Sequence, residues 1–320
     1  MINRVVVTGA GGFLGGHLMA RIHKDWPTAE RVAIDRKPIE EWLQVDRAAK
    51  NIVSDITCDT EALLANADMV FHCAADMGGM PYIATNNFTC MQDVISTQAI
   101  LRLGARNVIG RIVLFSSACV YPAALQADRA VPLTEGFATT GPPDSGYGWA
   151  KLYCEQMAMF ARDELGVDVQ IARLFNVYGP HCDTRDPRAK APAAICRKVV
   201  TARIAGLNYV TLFGSGIEVR SFLHIDDCLN GVMSLAGADQ ADPINFGSDE
   251  CLTIRQLADI VKLKYDYTGE VRFDGSYPGV KTRIPDLRRA AELVNWHPAV
   301  PLSSGIEDLA RYVAYAISSN

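Results

Sequence analysis

Tyr147 and Lys151 stand four apart in Tyr147-Gly148-Trp149-Ala150-Lys151, so on a helix they share one face. A phenol titrates near 10, too high for a base at neutral pH. One cation at roughly 4 Å and an effective dielectric of about 20 is worth up to ~4 kcal/mol. That is about three pKa units, enough to bring the phenol near neutrality. Upstream, Arg111-Ile112-Val113-Leu114-Phe115 reads as a strand that runs into Ser116-Ser117-Ala118-Cys119, ending at the cysteine. Beside that strand end, the Tyr147/Lys151 pair would accept the proton of an alcohol losing a hydride, with Ser117 and the Cys119 thiol at hand. Tyr-x-x-x-Lys by itself is also an ordinary helix surface, so the chemistry depends on what the remaining elements bring to it.

The start of the chain supplies a place for a hydride acceptor. Arg4-Val5-Val6-Val7-Thr8 is a β-branched run, and glycines at 9, 12 and 15 follow it and open a helical pattern through Phe13 and Leu14. Gly9 can take the tight turn, Gly12 lets backbone approach a pyrophosphate, and Gly15 lets the helix sit on the strand with its N-terminus aimed at the anion. Asp35 ends the next strand, Val32-Ala33-Ile34, twenty residues past Gly15, where it can accept from both ribose hydroxyls of NAD and repel a 2′-phosphate. Arg36 and Lys37 follow it and would tolerate NADP, but the acidic residue favours NAD. Asp55-Ile56, after the apolar pair Ile52-Val53, is placed to meet the adenine edge. Met69 to Ala75 reads as a buried parallel strand, with Ala74 at its carboxyl end, and Gly78-Gly79 just beyond permits close backbone approach.

Alternation of strand and helix through residue 178 describes a doubly wound parallel sheet. Residues 86–106 are expected to be helical, and the helix carrying Tyr147 to run on to about Leu165. Val169-Gln170-Ile171-Ala172-Arg173 is a further strand, left through a turn at Phe175 to Pro180. The polar stretch from His181 to Lys190 then leads out of this domain, residues 1–178, into a smaller α/β lobe, residues 179–320. A segment near 222–250 returns to the main sheet through Pro243-Ile244-Asn245-Phe246-Gly247. Within the lobe a helix is expected over 191–205, a second starting at Ile225 with an aspartate cap, a strand near Val271-Phe273 and a final amphipathic helix after Pro301.

Composition narrows the classes. At 320 residues, with 49% hydrophobic and 21% charged side chains, the chain is that of a folded protein, and a formal charge of -5 gives no basic footprint for nucleic acid. No run of 18 apolar residues suggests a membrane span, and the first strand begins where a secretory leader would continue. Nine cysteines without a C-x-x-C pair fit reduced thiols of a cytoplasmic protein, and six histidines form no metal-ligand pattern.

With these residues in view, the chain resembles the extended short-chain dehydrogenase/reductase family of nucleotide-sugar enzymes along its whole length. Within that family it is most similar to the GDP-mannose 3,5-epimerases. The marks are Ala74-Ala75-Asp76-Met77-Gly78-Gly79-Met80, Ser116-Ser117-Ala118-Cys119-Val120-Tyr121-Pro122, Lys190-Ala191-Pro192-Ala193-Ala194, Arg197-Lys198 and Gly247-Ser248-Asp249-Glu250. The resemblance implies a Rossmann domain with a smaller C-terminal sugar-nucleotide lobe, NAD as cofactor, a GDP-hexose as substrate and a homodimer. It also implies Tyr147 and Lys151 as the redox pair, Ser117 orienting a sugar hydroxyl, and Cys119 and Lys190 as proton carriers on opposite faces of the ring. Gly78, Gly79, Ala118, Ala191, Asn176, Lys198, Arg220, Ser221 and Arg283 would hold the sugar and diphosphate. Two positions depart from that pattern, Ala189 where a glutamate is expected and Glu218 where a glutamine is, and both are expected near the substrate.

Chemistry agrees with that expectation. A ketone made at C4 of a hexose acidifies the C–H bonds beside it, and inversion then needs one group to take the proton and another to return it from the other face. A thiol and a lysine shifted downward by neighbouring cations fit, each worth about 10²–10⁴ in rate. Simple C4 epimerisation or net C4 oxidation are the alternatives, since both need only Tyr147, Lys151 and Ser117. A 4,6-dehydratase is disfavoured by Ala118-Cys119 where an acidic pair is wanted. A silent dinucleotide sensor is disfavoured by retention of the redox pair.

Overall fold

Val5, Val6 and Val7 are stiff at χ1 and out of water, and they form the strand Arg4–Thr8 at the centre of a sheet buried on both faces. Val5 and Val7 point into one core and Val6 into the other, as the period of two requires. The structure, a computed structural model, describes residues 2–127, 131–185, 188–239, 242–276 and 279–318. Its main sheet has seven strands in the order 244–246, 169–174, 111–117, 69–72, 4–8, 30–35, 50–53. Every neighbouring pair is parallel. The chain builds outward from Arg4–Thr8 on one side, then crosses back and builds outward on the other. Order therefore reverses between 4–8 and 69–72, and the crevice at their carboxyl ends is where such sheets bind ligands.

Helices Phe13–Asp25 and Ile225–Ala236 cover one face, with Leu18, Ile22, Leu229 and Val232 in the core. Helices Asp93–Ala105 and Gly146–Leu165 cover the other through Ile100, Leu103, Cys154 and Ala158. Each such buried Leu or Ile is worth roughly 1.5–3 kcal/mol. The long helix stops where Gly166 takes φ 69°.

A four-stranded sheet (251–253, 219–221, 282–285, 132–133) and two strand pairs (177–178 with 223–224, 209–212 with 270–273) make up the remaining β structure. Helices Ala191–Ile204, Ile254–Lys264 and Leu302–Ser318 enclose a separate core of Val199, Leu257, Val261, Ile306, Leu309 and Val313. Thr253 and Gln256 form a full capping box at the second of these.

Several local expectations change. Strand 111–117 ends at Ser117, and Ala118–Val120 turns off as a 3-10 helix, because Ser117 Oγ accepts from Cys119 N at 3.2 Å. Helix 225–236 is capped by His224, whose Nδ1 accepts from Asp226 N at 3.3 Å, and not by an aspartate. The expected helix over 86–106 is two, Asn87–Cys90 and Asp93–Ala105. Of the polar stretch 181–190, residues 186 and 187 lie outside the described residues.

Candidate active site

Helix Gly146–Leu165 begins under the end of strand 111–117. Its cap is Ser145, whose hydroxyl accepts from Gly148 N at 3.3 Å. A Cβ on Gly148 would lie 2.3 Å from the Cys119 carbonyl oxygen, so only glycine lets the first helical turn press onto Ala118–Val120. That approach sets Tyr147 and Cys119 together in a buried group with Tyr82, Ile83 and Cys90. Ser117 is near enough to the Tyr147 phenol to pull its pKa down weakly, and the phenol oxygen is 4.0 Å from Met77 Sδ.

One turn further on, Lys151 Nζ is 5.7 Å from the centre of the Tyr147 ring and 3.2 Å from Asp93 Oδ2. Burial works against the ammonium, but Asp93 and then the Tyr147 oxygen carry its pKa above the ordinary lysine value. Burial pushes the Asp93 carboxyl up, with Lys151 pulling against it. At 3.2 Å and out of water, each charge is the other's main compensation. Burial also pushes the Tyr147 phenol above its usual value, against the opposing pull of Lys151. The fall toward neutrality expected from spacing alone is thus not produced by these residues by themselves. The ring is dry, and Asp93 answers much of the Lys151 charge.

Arg283, on strand 282–285, donates Nη1 to Cys119 Sγ at 3.2 Å and Nε to Gln126 Oε1 at 2.6 Å. Lys190 caps helix 191–204 and is half-buried. Its pKa is lowered, by burial and not by neighbouring cations, and the Cys119 sulfur is the strongest charge pulling it back up. Cys119 and Lys190 therefore lie in each other's field.

The stretch carrying Lys190 is tied to the sheet. Asp76 accepts from Arg36 Nη2 at 2.6 Å, Arg188 Nη1 at 3.0 Å and the Tyr82 phenol at 2.7 Å, and Asp76 N donates to Asp93 Oδ1 at 3.1 Å. What approaches the Gly78-Gly79 pair is the chain's own loop. A Cβ on Gly78 would meet Arg188 Cα at 3.1 Å, and Gly79 N donates to Arg188 O at 3.1 Å.

At the switch-point crevice, Gly9 takes φ 71° and a Cβ on it would sit 2.7 Å from Ala74 Cα. A Cβ on Gly15 would sit 2.2 Å from Gly9 O. Gly12 caps helix 13–25 without any side-chain hydrogen bond, which leaves the amides of its first turn, at Phe13 and Leu14, facing the crevice. Asp35 holds the turn by accepting from Gly11 N and Lys37 N, both at 3.0 Å.

Residues 5–247 match the NAD dependent epimerase/dehydratase family. The chain belongs to that family. Among its relatives, GDP-mannose 3,5-epimerase 1 of Oryza sativa subsp. indica is 31% identical over 312 residues, which is 95% of this chain and 79% of that one. UDP-glucuronic acid decarboxylase 1 of Xenopus tropicalis is 28% identical over 97% of this chain and 72% of its own. The fold is that of the UDP-glucose 4-epimerase of Thermotoga maritima, solved with UDP-glucose. The TM-score is 0.87 at 22% identity, covering 98% of this chain and 99% of that one.

The crevice fits the cofactor of the epimerase/dehydratase family. Gly9 and Gly15 let the turn close tightly on the strand end and on the helix it opens, the first-turn amides of that helix have no side-chain cap, as an anion site requires, and Asp35 is a buried acceptor beside the glycine turn. Asp55 accepts from Thr57 N and Oγ1 at 2.9 and 2.7 Å within its own turn, and Ile56 packs into the core. The Asp55 oxygens are therefore partly committed.

Other expected substrate residues are held elsewhere. Ser221 donates to Ser248 O and accepts from Ser248 N, both at 2.8 Å, and is fully buried. Asn176, at φ 33°, ties its amide to Ser221 O. Lys198 Nζ donates to the Thr211 carbonyl, and Arg220 donates to the carbonyls of Val219, Lys281 and Val280. Glu218 closes the 214–216 turn by accepting from Ser215 and Gly216 amides, and Ala189 is buried. Ala191 is the first residue of the Lys190-capped helix.

The sequence reading missed Asp93, the loop tie by Arg188 through Asp76, and Gln126. A lone acid in the first turn of helix 93–105 was the only local sign of Asp93. An open depression of about 520 Å³ lined by Glu250, Gln256, Asp259 and Leu302 among others shares no residue with the site. Among the described residues no cluster of three or more His, Cys, Asp or Glu is placed to hold a metal. None of their helices is long and apolar enough to cross a membrane.

Proposed function

We propose that this chain is a GDP-mannose 3,5-epimerase-like enzyme: transient oxidation at C4 of a GDP-hexose, proton exchange at C3, C5 or both, and re-reduction. The reading is supported by the packing of Cys119 with Tyr147 in one buried group and by the pull of the Cys119 sulfur on the charge of Lys190. A C4 redox step alone has no use for a second pair of proton carriers. A bound NAD, held at the glycine turn and Asp35, would supply a hydride acceptor for the alcohol carbon and the positive charge of its oxidised ring. Tyr147 accepts and returns the hydroxyl proton, Lys151 supplies the fixed cation that favours the phenolate, and Ser117 orients the hydroxyl. Cys119 and Lys190 then take and give the proton at the carbon beside the ketone, on opposite ring faces. Gly9, Gly12, Gly15 and Asp35 hold the dinucleotide, with Ala74, Asp55 and Ile56 along its edge. Arg220 and Arg283 supply charge for the substrate diphosphate, and Gly78, Gly79, Ala118, Asn176, Lys198 and Ser221 shape its site.

In this reading residues 1–178, with the strand returning at 244–246, form the cofactor unit and residues 179–320 the sugar-nucleotide lobe of a cytoplasmic protein. A homodimer is supported by an apolar face that water covers in the single chain. Trp149, Tyr153 and Phe160 fall on one stripe of helix 146–165, and Phe88, Met91 and Ile95 are exposed nearby in sequence to helix 93–105. Turnover of GDP-mannose in deuterated water tests the proposal by ring labelling. The second reading, C4 inversion or C4 oxidation of a UDP-sugar, is favoured by the decarboxylase relative and predicts no ring label.

A further inference from the structure

We propose that Asp76 sets the choice between NAD and NADP: by taking the Arg36 guanidinium, it removes the cation that would receive a 2′-phosphate. The choice is made at the crevice that fits the family's cofactor, whichever sugar carbon reacts. Arg36 and Lys37 directly follow Asp35, and an arginine near that acid is what accommodates a 2′-phosphate in such a crevice. Sequence alone therefore leaves both nucleotides open. In the folded chain each of the two cations faces a carboxylate from another segment.

Arg36 Nη2 donates to Asp76 Oδ2 at 2.6 Å, a charge-assisted bond about twice as strong as a neutral one. Strand 4–8 lies between strand 30–35, which Arg36 follows, and strand 69–72, which precedes Asp76. Two strand spacings are roughly 10 Å. The guanidinium is thus drawn past the intervening strand, away from the end of its own strand, where Asp35 is placed for the ribose.

Asp76 cannot follow Arg36 back. Its side chain is 7% exposed against 54% for Arg36. Its Oδ1 accepts from Arg188 Nη1 at 3.0 Å and from the Tyr82 phenol at 2.7 Å, and its amide donates to Asp93 Oδ1 at 3.1 Å. A 2′-phosphate would have to pull Arg36 off a buried carboxylate, a loss that NAD binding does not incur. Lys37 is answered as well: burial raises the Asp183 carboxyl, but Arg185 and then Lys37 bring it below the ordinary value. Asp35 itself is pinned by the amides of Gly11 and Lys37, both at 3.0 Å, so its charge stays beside the ribose position.

Calorimetric titration of the full chain with NAD and with NADP tests this, the readout being the ratio of the two dissociation constants. Asp76→Asn keeps the shape, and its amide oxygen can still take Arg188 and Tyr82 while its NH₂ no longer accepts from Arg36. The NADP/NAD ratio should fall by about tenfold or more, as a hydrogen bond to a charged group gained by one nucleotide alone requires. Adding Arg36→Met should abolish that fall. A ratio that Asp76→Asn leaves unchanged, including a loss of both affinities in step, would overturn the proposal, and so would a fall that persists without Arg36. Should Asp76→Asn not fold, Arg36→Met alone decides. An unchanged ratio is the result expected of an arginine already committed, and a raised ratio would show it serving the phosphate and overturn the proposal. No sugar nucleotide enters the titration, so its outcome is independent of ring labelling.

Discussion

Lys151 Nζ lies 3.2 Å from Asp93 Oδ2, with both side chains about 95% out of water. Removing one partner of such a pair leaves an uncompensated buried charge, so Asp93→Ala should cost about 3–5 kcal/mol in urea unfolding. Asp93→Asn keeps the shape and removes the charge that answers Lys151. The limb of the pH–rate profile belonging to Tyr147 should then move to lower pH. Movement the other way would mean that Lys151 had shed its own proton.

Gly148→Ala places a methyl where the Cys119 carbonyl sits, 2.3 Å away. Helix and turn must part, which separates Tyr147 from Ser117 and Cys119. Displacement of about 1 Å at a reacting pair costs around 10²-fold, so kcat should fall by at least that much, with a stability loss of about 1–3 kcal/mol. Steady-state kinetics beside a urea melt separates the two effects.

His72 gives a pH dependence of stability with a definite sign. It is buried against Thr8 Oγ1 at 2.7 Å and Ser96 Oγ at 3.3 Å. Burial, with Lys151 adding to it, lowers its pKa to about 3 from 6.5. Between those values the unfolded chain binds the proton and the folded one does not, so stability is full above pH ~6.5 and is lost as pH falls, by about 1.4 kcal/mol per unit. His72→Asn should flatten this slope in urea unfolding measured from pH 7 to pH 4.5. An unchanged slope would assign the acid sensitivity to other groups.

Arg188→Met cuts the tie between Asp76 and the stretch that carries Lys190. Amide exchange of the residues just before Lys190 should quicken, and KM for the sugar nucleotide should rise more than kcat falls. Equal exchange in both proteins would show that the Gly79–Arg188 backbone bond suffices.

How much of this was readable beforehand follows the range of the interactions. Gly9, Gly15, Asp35 and the Tyr147/Lys151 pair are local or repeat at helix and strand periods, so spacing alone placed them. Asp93 and Lys151 are 58 positions apart, and Arg283 and Cys119 are 164 apart, distances over which no pattern carries information. Local pattern also misleads: Lys151 and Glu155 have ion-pair spacing, yet Glu155 is taken by Arg173 at 2.6 Å inside the core. Tyr147 was misjudged because spacing reports the nearby cation and not the dryness of the ring or the carboxylate behind it. Ser221 and Lys198 sit in the right segments, but their hydrogen bonds go to carbonyls that only the folded lobe brings near.

The central claim is that Cys119 and Lys190 exchange ring protons beside a transient ketone. Incubating the protein with GDP-mannose and NAD in deuterated water, and following C3 and C5 by NMR, tests it most directly. Deuterium should enter at C5, C3 or both in the unaltered protein, and exchange should fall at least 10²-fold in Cys119→Ala and in Lys190→Met. Exchange that persists in either variant, or turnover that leaves both carbons unlabelled, would contradict the account.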